Sequence, residues 1–193
     1  DDLGAYGTEE FFREIQYGAA RGYFSGYRTE GSPLPHFAPQ RDVSVKEIAK
    51  VVVEWLDWPT EIGAGAPHFD DLPPGHPFYE YVETLFSRGV TVGCGDGSLC
   101  PDTPVTRAEA IVLLVQARGV DLISPSTPSF EDTFSTYWAY DYIETAHTLG
   151  WYRGLWATNE PLVRPHAHLK RRELAKLLFN IDFAETPISL GQQ

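Results

Sequence analysis

One spacing pattern, recurring along the chain, limits what this sequence can fold into more than any other feature. In the middle of the chain it reads Phe69-Asp70-Asp71, Gly89, Gly93, Gly95-Asp96-Gly97, Pro101 and Thr106-Arg107-Ala108-Glu109. Further on it returns as Phe130-Glu131-Asp132, Gly150, Gly154, Pro165 and Lys170-Arg171-Arg172-Glu173. Phe69 to Gly89 and Phe130 to Gly150 are equal separations, as are Gly89 to Gly93 and Gly150 to Gly154, and Pro101 to Glu109 and Pro165 to Glu173. A fainter copy, Gly22, Gly26, Pro39 and Ser44-Val45-Lys46-Glu47, keeps the last two of these. Three copies at a period of about sixty residues define an internal-repeat protein. The expected units are 1–62, 63–123 and 124–181, with 182–193 a polar tail.

Each copy reads as helix, Gly-rich loop, helix. Apolar residues at helical spacing, with Gly and Pro as stops, predict helices over Glu9–Arg21, Ser44–Leu56, Phe78–Arg88, Thr106–Arg118, Trp138–Leu149 and Leu169–Ile181. Gly63–Pro67 and Ser124–Pro128 read as linkers. The helix from Thr106 is apolar nearly all round through Ala110, Ile111, Val112, Leu113, Leu114 and Val115, the pattern of a helix buried against several neighbours. One such helix pair cannot cover its own apolar face, so the copies must pack on one another. The expected class is all-α.

A net charge of −12 argues against nucleic acid, whose binding relies on Lys and Arg displacing counterions. An anionic ligand would need a local cation cluster acting against that field. The longest apolar stretch, Ala108 to Val115, contains Glu109 and is too short to cross a bilayer, so no membrane insertion is expected. The start at Asp1 and the lack of Met suggest an exported chain whose signal segment has been removed. Cys94 and Cys100 flank Gly-Asp-Gly-Ser-Leu. A metal or redox pair is one reading, but without a Cys-x-x-Cys motif a disulfide stapling one loop is favoured, which also points outside the cytoplasm.

Thr106 and Glu109 have the spacing of a capping box, as do Ser44 and Glu47, and are explained structurally. Arg107, and Arg171 at the matching place, are different: a cation in the first helical turn opposes the helix dipole. Such a residue has either a ligand or a carboxylate partner, for which Asp71, Asp102 and Asp132 are candidates. If a ligand, truncating Arg107 should abolish binding and leave the melting temperature nearly unchanged. Asp96-Gly97 reads as a turn, not a calcium loop, and His166-x-His168 as an exposed, inert pair. Trp55, Trp151 and Trp156 read as core or groove-wall residues. No nucleophile elbow, Cys–His–Asn order or phosphate loop is present, and no enzyme activity, cofactor or metal is expected.

A Phe-x-Asp start, a Trp-Ala pair, a Gly-x-x-x-Gly stretch, an Asp-Gly turn, a Pro and then Thr-Arg-Ala-Glu together resemble the S-layer homology (SLH) repeat. The middle copy holds most of this but has Pro77 where the family prefers Trp. The last supplies Trp138-Ala139 but carries Lys170-Arg171-Arg172-Glu173, and the first has Val45 in place of Arg. The resemblance implies a pseudo-threefold bundle with grooves between successive repeats. It implies that the matching Arg contacts an acidic cell-wall glycan bearing pyruvyl groups. Carried over by position, the ligand-binding candidates are Arg107, Arg171, Trp138, Gly93, Asp96, Gly97 and Gly154. The expected protein is an extracellular, wall-binding module; the alternative is a structural subunit packing against other surface or filament proteins.

Overall fold

The computed structural model describes residues 11–28, 30–31, 35–63, 65–90, 93–153, 155 and 162–184. Within them the chain forms six helices and no sheet strand: α1 Phe12–Ala20, α2 Val45–Trp55, α3 Tyr79–Ser87, α4 Arg107–Arg118, α5 Tyr140–Thr148 and α6 Arg171–Phe183. The helices expected from periodicity are all present, and the fold is all-α. At α6 the helix runs two residues past its expected end. Asp182, read as the start of a polar tail, is instead an anchor: it accepts from Tyr17 at 3.0 Å, Tyr23 at 3.1 Å and the Trp55 indole at 2.8 Å.

The packing order is cyclic. α2 packs on α3, α4 on α5, and α6 on α1, so the second helix of each copy lies against the first helix of the next. At the centre three backbone hydrogen bonds close a ring: Val43 N to Leu169 O at 2.9 Å, Leu169 N to Val105 O at 3.0 Å, and Val105 N to Val43 O at 2.9 Å. Just outside it, Val45 donates to Thr103 O, Arg107 to Ala167 O and Arg171 to Arg41 O, at 2.8–3.0 Å. These bonds pair matching positions of the three copies in a closed cycle. They also satisfy amide groups at the starts of α2, α4 and α6 that no intrahelical partner can reach.

α4 sits at the heart of this arrangement. Ile111, Leu114 and Val115 are fully buried, as the all-round apolar pattern requires. Thr106 and Glu109 cap its start, with Thr106 N donating to Glu109 Oε2 at 2.7 Å and Glu109 N to Thr106 Oγ1 at 3.3 Å. Gly119, at φ 61°, ends it in the left-handed conformation that glycine adopts without strain.

The motif at the start of each later copy has a structural job. Asp71 clamps the loop ahead of α4 by accepting from Leu99 N and Cys100 N, both at 2.8 Å. Asp132 does the same ahead of α6, accepting from Val163 N at 3.0 Å and Arg164 N at 2.6 Å. Buried Glu83 and Glu144 hold the preceding segments, Glu83 through His68 and Glu144 through Ser129. The loop itself is a two-residue hairpin turn. Gly95 and Ser98 bridge, and Asp96 and Gly97 both take positive φ, the type I′ arrangement favoured by Asp-Gly. Cys94 and Cys100 are joined in a disulfide across this turn.

Candidate functional site

The starts of α2, α4 and α6 build three comparable clefts between copies. In each, the residue before the helix donates its N–H to Oε2 of a glutamate three positions on: Ser44 to Glu47 at 3.0 Å, Thr106 to Glu109 at 2.7 Å, Lys170 to Glu173 at 3.0 Å. What differs is the partner of the other carboxylate oxygen, and this decides what each cleft can do.

At Glu173, Oε1 accepts from Arg107 Nη2 at 2.8 Å, and Arg107 Nη1 donates to Val163 O at 3.1 Å. Both side chains are about nine-tenths buried. Arg107 thus has a carboxylate partner, but not Asp71, Asp102 or Asp132. Asp71 and Asp132 are committed to loop N–H groups, and Asp102 pairs with Lys46. The unfavourable dipole marks Arg107 as anomalous but cannot name a carboxylate two helices further along the chain. A buried ion pair also overturns the expectation that Arg107 does little for stability.

At Glu47, Oε1 accepts from the Tyr27 hydroxyl at 2.7 Å and from Arg41 Nη1 at 3.1 Å. Arg171 lies beside this group, donating from Nε to Phe37 O at 2.8 Å and from Nη2 to Ser25 O at 3.1 Å. Its guanidinium is walled by the rings of Tyr27 at 4.6 Å, Phe37 at 4.7 Å and Phe24 at 5.5 Å. Burial lowers the Arg171 pKa from its usual value, while Tyr27 and Glu47 act to restore it. Burial, and then the bond to Glu47, push Tyr27 up to about 12. Burial raises the Glu47 carboxyl, but the Ser44 N–H, the Tyr27 hydroxyl, Arg41 and Arg171 outweigh it, leaving a net lowering. Arg41, half-exposed, was missed in the sequence because it precedes the motif and has no counterpart at the matching places.

The third cleft has Val45 where the other two have arginine, and it is open. A groove of about 490 Å³ runs between Val45, Glu109, Gly93, Gly97 and Trp138, with Phe69 and Phe86 in its walls. Three of the candidate residues, Gly93, Gly97 and Trp138, therefore meet in one place. Gly93 has to be glycine: at φ 137° a Cβ would stand 2.9 Å from Ser98 O. Trp138 is 60% exposed, with its ring 5.8 Å from that of Tyr137, which in turn meets His166 edge-on. His68, held against Glu83 and stacked on Phe86 at 4.3 Å, brings an imidazole to the same groove. Asp96 lies at the exposed tip of the adjoining turn, outside the groove lining. Arg107 and Arg171 belong to the other two clefts. Gly154 and Trp156 lie outside the described residues, while Trp55 and Trp151 are core. Among the described residues no cluster of three or more metal-ligating side chains occurs, and His166 and His168 are exposed.

Residues 68–111 match the S-layer homology domain family, so the chain carries an S-layer homology domain in its central part. The matched span contains the Phe69 motif, the disulfide-closed turn and the start of α4, and so most of the open groove. Most of the similar proteins carry S-layer, cell-surface or anchoring names, and one is an endoglucanase of a Bacillus species. Cell surface glycoprotein 1 of Acetivibrio thermocellus is 28% identical over 135 residues, covering 65% of this chain and 6% of that protein. The cellulosome-anchoring protein of the same organism is 27% identical over 128 residues, covering 65% of this chain and 28% of that protein. An S-layer protein of Bacillus licheniformis is 26% identical over 117 residues, covering 61% and 13%. The match thus spans under a third of each of these relatives. No described helix is long and apolar enough to cross a membrane.

Proposed function

We propose that the chain is a non-enzymatic, extracellular SLH module that binds a bacterial cell-wall glycan and so holds a surface structure to the wall. The observation that carries this reading is the open groove beside Trp138, most of whose lining falls in residues 68–111, the span that matches the SLH family. The exposed indole offers a flat apolar face for a sugar ring. Gly93 and Gly97 leave the backbone bare where a pyranose would approach, and Asp96, exposed on the adjoining turn outside the groove lining, is the acceptor offered to its hydroxyls. An acidic substituent, such as a pyruvyl carboxylate, is better met at the Glu47 cleft. There Arg41 and Arg171 set two guanidinium groups against one carboxylate, and half-exposed Arg41 is the accessible prong. Arg107 keeps its place in this reading as the residue that ties the second copy to the third and fixes the cleft wall.

The test is co-sedimentation of the purified chain with cell-wall sacculi, before and after chemical removal of the accessory polymer. The chain should pellet with intact sacculi, stay in solution after polymer removal, and pellet less as Trp138→Ala. Undiminished pelleting with stripped sacculi, or none with intact ones, would refute the glycan reading.

A second reading has one observation in its favour. Arg107 and Arg171 are buried in contacts within the chain, while Phe134 at 65% and Phe183 at 60% exposure are bare aromatics. A structural subunit of a bacterial surface assembly would use such side chains against partner proteins. Sedimentation velocity with the native surface fraction distinguishes the two: a complex that forms without any polysaccharide favours assembly.

A further inference from the structure

Two features lie outside the proposed glycan contacts, and a third shares their groove. A small cleft of about 360 Å³ between Phe130, His147 and Arg153 borders residues outside the described ones, so its shape carries little. The aromatic group of Tyr17, Phe179 and Phe183, with Arg13 and Lys176 over Phe179, has nothing beside it to say what covers it. The third, the cleft at Val45, is defined by two filled counterparts in the same molecule.

Those counterparts show what the third cleft lacks. In the Glu173 cleft a guanidinium from the preceding copy bonds both the free carboxylate oxygen and the carbonyl of Val163. In the Glu47 cleft a guanidinium bonds the free carboxylate oxygen, and a second, from the preceding copy, bonds the carbonyl of Phe37. Phe37, Leu99 and Val163 stand at matching positions, each two residues before the recurrent proline. In the third cleft the acceptor set recurs but the donor is missing. Val45 ends at its methyl groups, Glu109 is exposed on the groove, and both contacts from Thr106 fall on Glu109 Oε2. Among the described residues, Glu109 Oε1 makes no hydrogen bond or ion pair, where its two counterparts each hold a guanidinium. The walls, Phe69, Phe86, Val112 and Leu113, are apolar enough to pack an aliphatic stem.

We infer that this groove receives an arginine side chain from a partner polypeptide, which supplies in trans the guanidinium that Val45 does not. The stem lies along Val112 and Leu113, and the guanidinium reaches Glu109 Oε1. A guanidinium bonded to a capping glutamate is the arrangement the chain itself builds twice, with an aromatic ring against it at Glu47, and such a planar fork suits arginine better than the compact ammonium of lysine. The net charge of −12 draws a cationic partner toward the surface and opposes an anionic one. The arginine would use the floor of the groove that the glycan reading places beneath Trp138, and the sacculus assay reads glycan binding separately.

The test is titration of the ¹⁵N-labelled chain with Nα-acetyl-arginine methylamide, following the amide signals of Gly93, Gly95, Gly97 and Leu113. The lysine counterpart and glucosamine serve as comparison probes. The arginine probe should give saturable shifts at these amides, and the lysine probe weaker ones. Glu109→Gln should weaken the arginine probe about tenfold, because glutamine still completes the helix cap but no longer offers a charged acceptor. Val45→Arg should fill the groove from within and abolish the shifts; if that variant does not fold, Glu109→Gln alone decides. The inference is overturned if the arginine probe leaves the groove amides unmoved or binds Glu109→Gln as well as wild type. It is equally overturned if the lysine probe matches it, or if glucosamine moves the amides and arginine does not.

Discussion

Replacing Arg107 by methionine should be one of the most damaging single changes in the molecule. The side chain is 10% exposed and its partner Glu173 6%, with 2.8 Å between Nη2 and Oε1. At an effective dielectric of about 20, two unit charges at that separation attract by roughly 6 kcal/mol, much of which is offset by the cost of taking both out of water. Methionine preserves the packing of the stem but strands a buried carboxylate whose other oxygen accepts from the Lys170 N–H at 3.0 Å. Removing one member of a buried pair costs about 3–5 kcal/mol. For a chain of this size that corresponds to a fall of roughly 6–20 °C in Tm. Urea unfolding followed by the fluorescence of buried Trp55 and Trp151 would measure it. The diagnostic is the double variant Arg107→Met/Glu173→Gln, which removes both charges while the new amide oxygen can still accept from the Lys170 N–H. It should be more stable than Arg107→Met alone by at least about 1.5 kcal/mol. A loss under about 1 kcal/mol for Arg107→Met, or strictly additive losses in the double variant, would show that the pair is not what holds the second and third copies together.

Leu114, fully buried on α4, should lose about 2–5 kcal/mol on truncation to alanine, read from the same urea midpoints; a loss below about 1 kcal/mol would contradict its place in the core. Native-state mass spectrometry should find no free thiol, and Cys94→Ser/Cys100→Ser should lower stability by about 2 kcal/mol, the entropy of closing so short a loop. Alkaline unfolding should begin early. Tyr27 and Tyr81 are pushed up to about 12 from 10, chiefly by burial and then by their bonds to Glu47 and Glu54. A raised folded pKa means their contribution is full below pH 10 and is lost as pH climbs toward 12, so Tyr27→Phe should flatten that limb of the stability curve.

The repeat spacing was the most legible part of this chain because it is enforced by backbone geometry. The recurrent glycines end helices or allow positive φ, as at Gly22, Gly89 and Gly150. The recurrent proline sits on the loop whose carbonyls accept from the preceding copy's amides, as Pro101 O does from Lys46 N and Pro165 O from Ala108 N. Helix existence followed from apolar period, and even α4's all-round burial could be read from Ala110 to Val115. What could not be read is which copy faces which. The partner of Arg107 is 66 residues away, a distance fixed only once the ring through Val43, Val105 and Leu169 closes. The signal was nonetheless present: Glu47, Glu109 and Glu173 match in position, and a capping glutamate uses one oxygen on its own helix.

That surplus oxygen explains why losing arginine at one place matters differently from losing it at another. Each copy offers a carboxylate to its neighbour, and the neighbour either answers with a guanidinium or leaves a cleft. At Glu173 the answer is Arg107, which leaves the cleft closed and the interface rigid. At Glu47 the bond comes from Arg41 of the same copy, with the neighbour's Arg171 beside it on Phe37 O, and because Arg41 is half-exposed the cleft is filled yet still presents a cation to solvent. At Glu109 there is Val45, and the same backbone frame leaves a groove. One interface device, repeated three times around the cycle, thus gives a structural lock, a cationic surface and an open pocket. The differences among them come from the residue at one helix position and from its immediate neighbours. Divergence among copies is therefore the expected route by which a repeat bundle acquires a binding site, since the two filled clefts can hold the fold while the third is free to change.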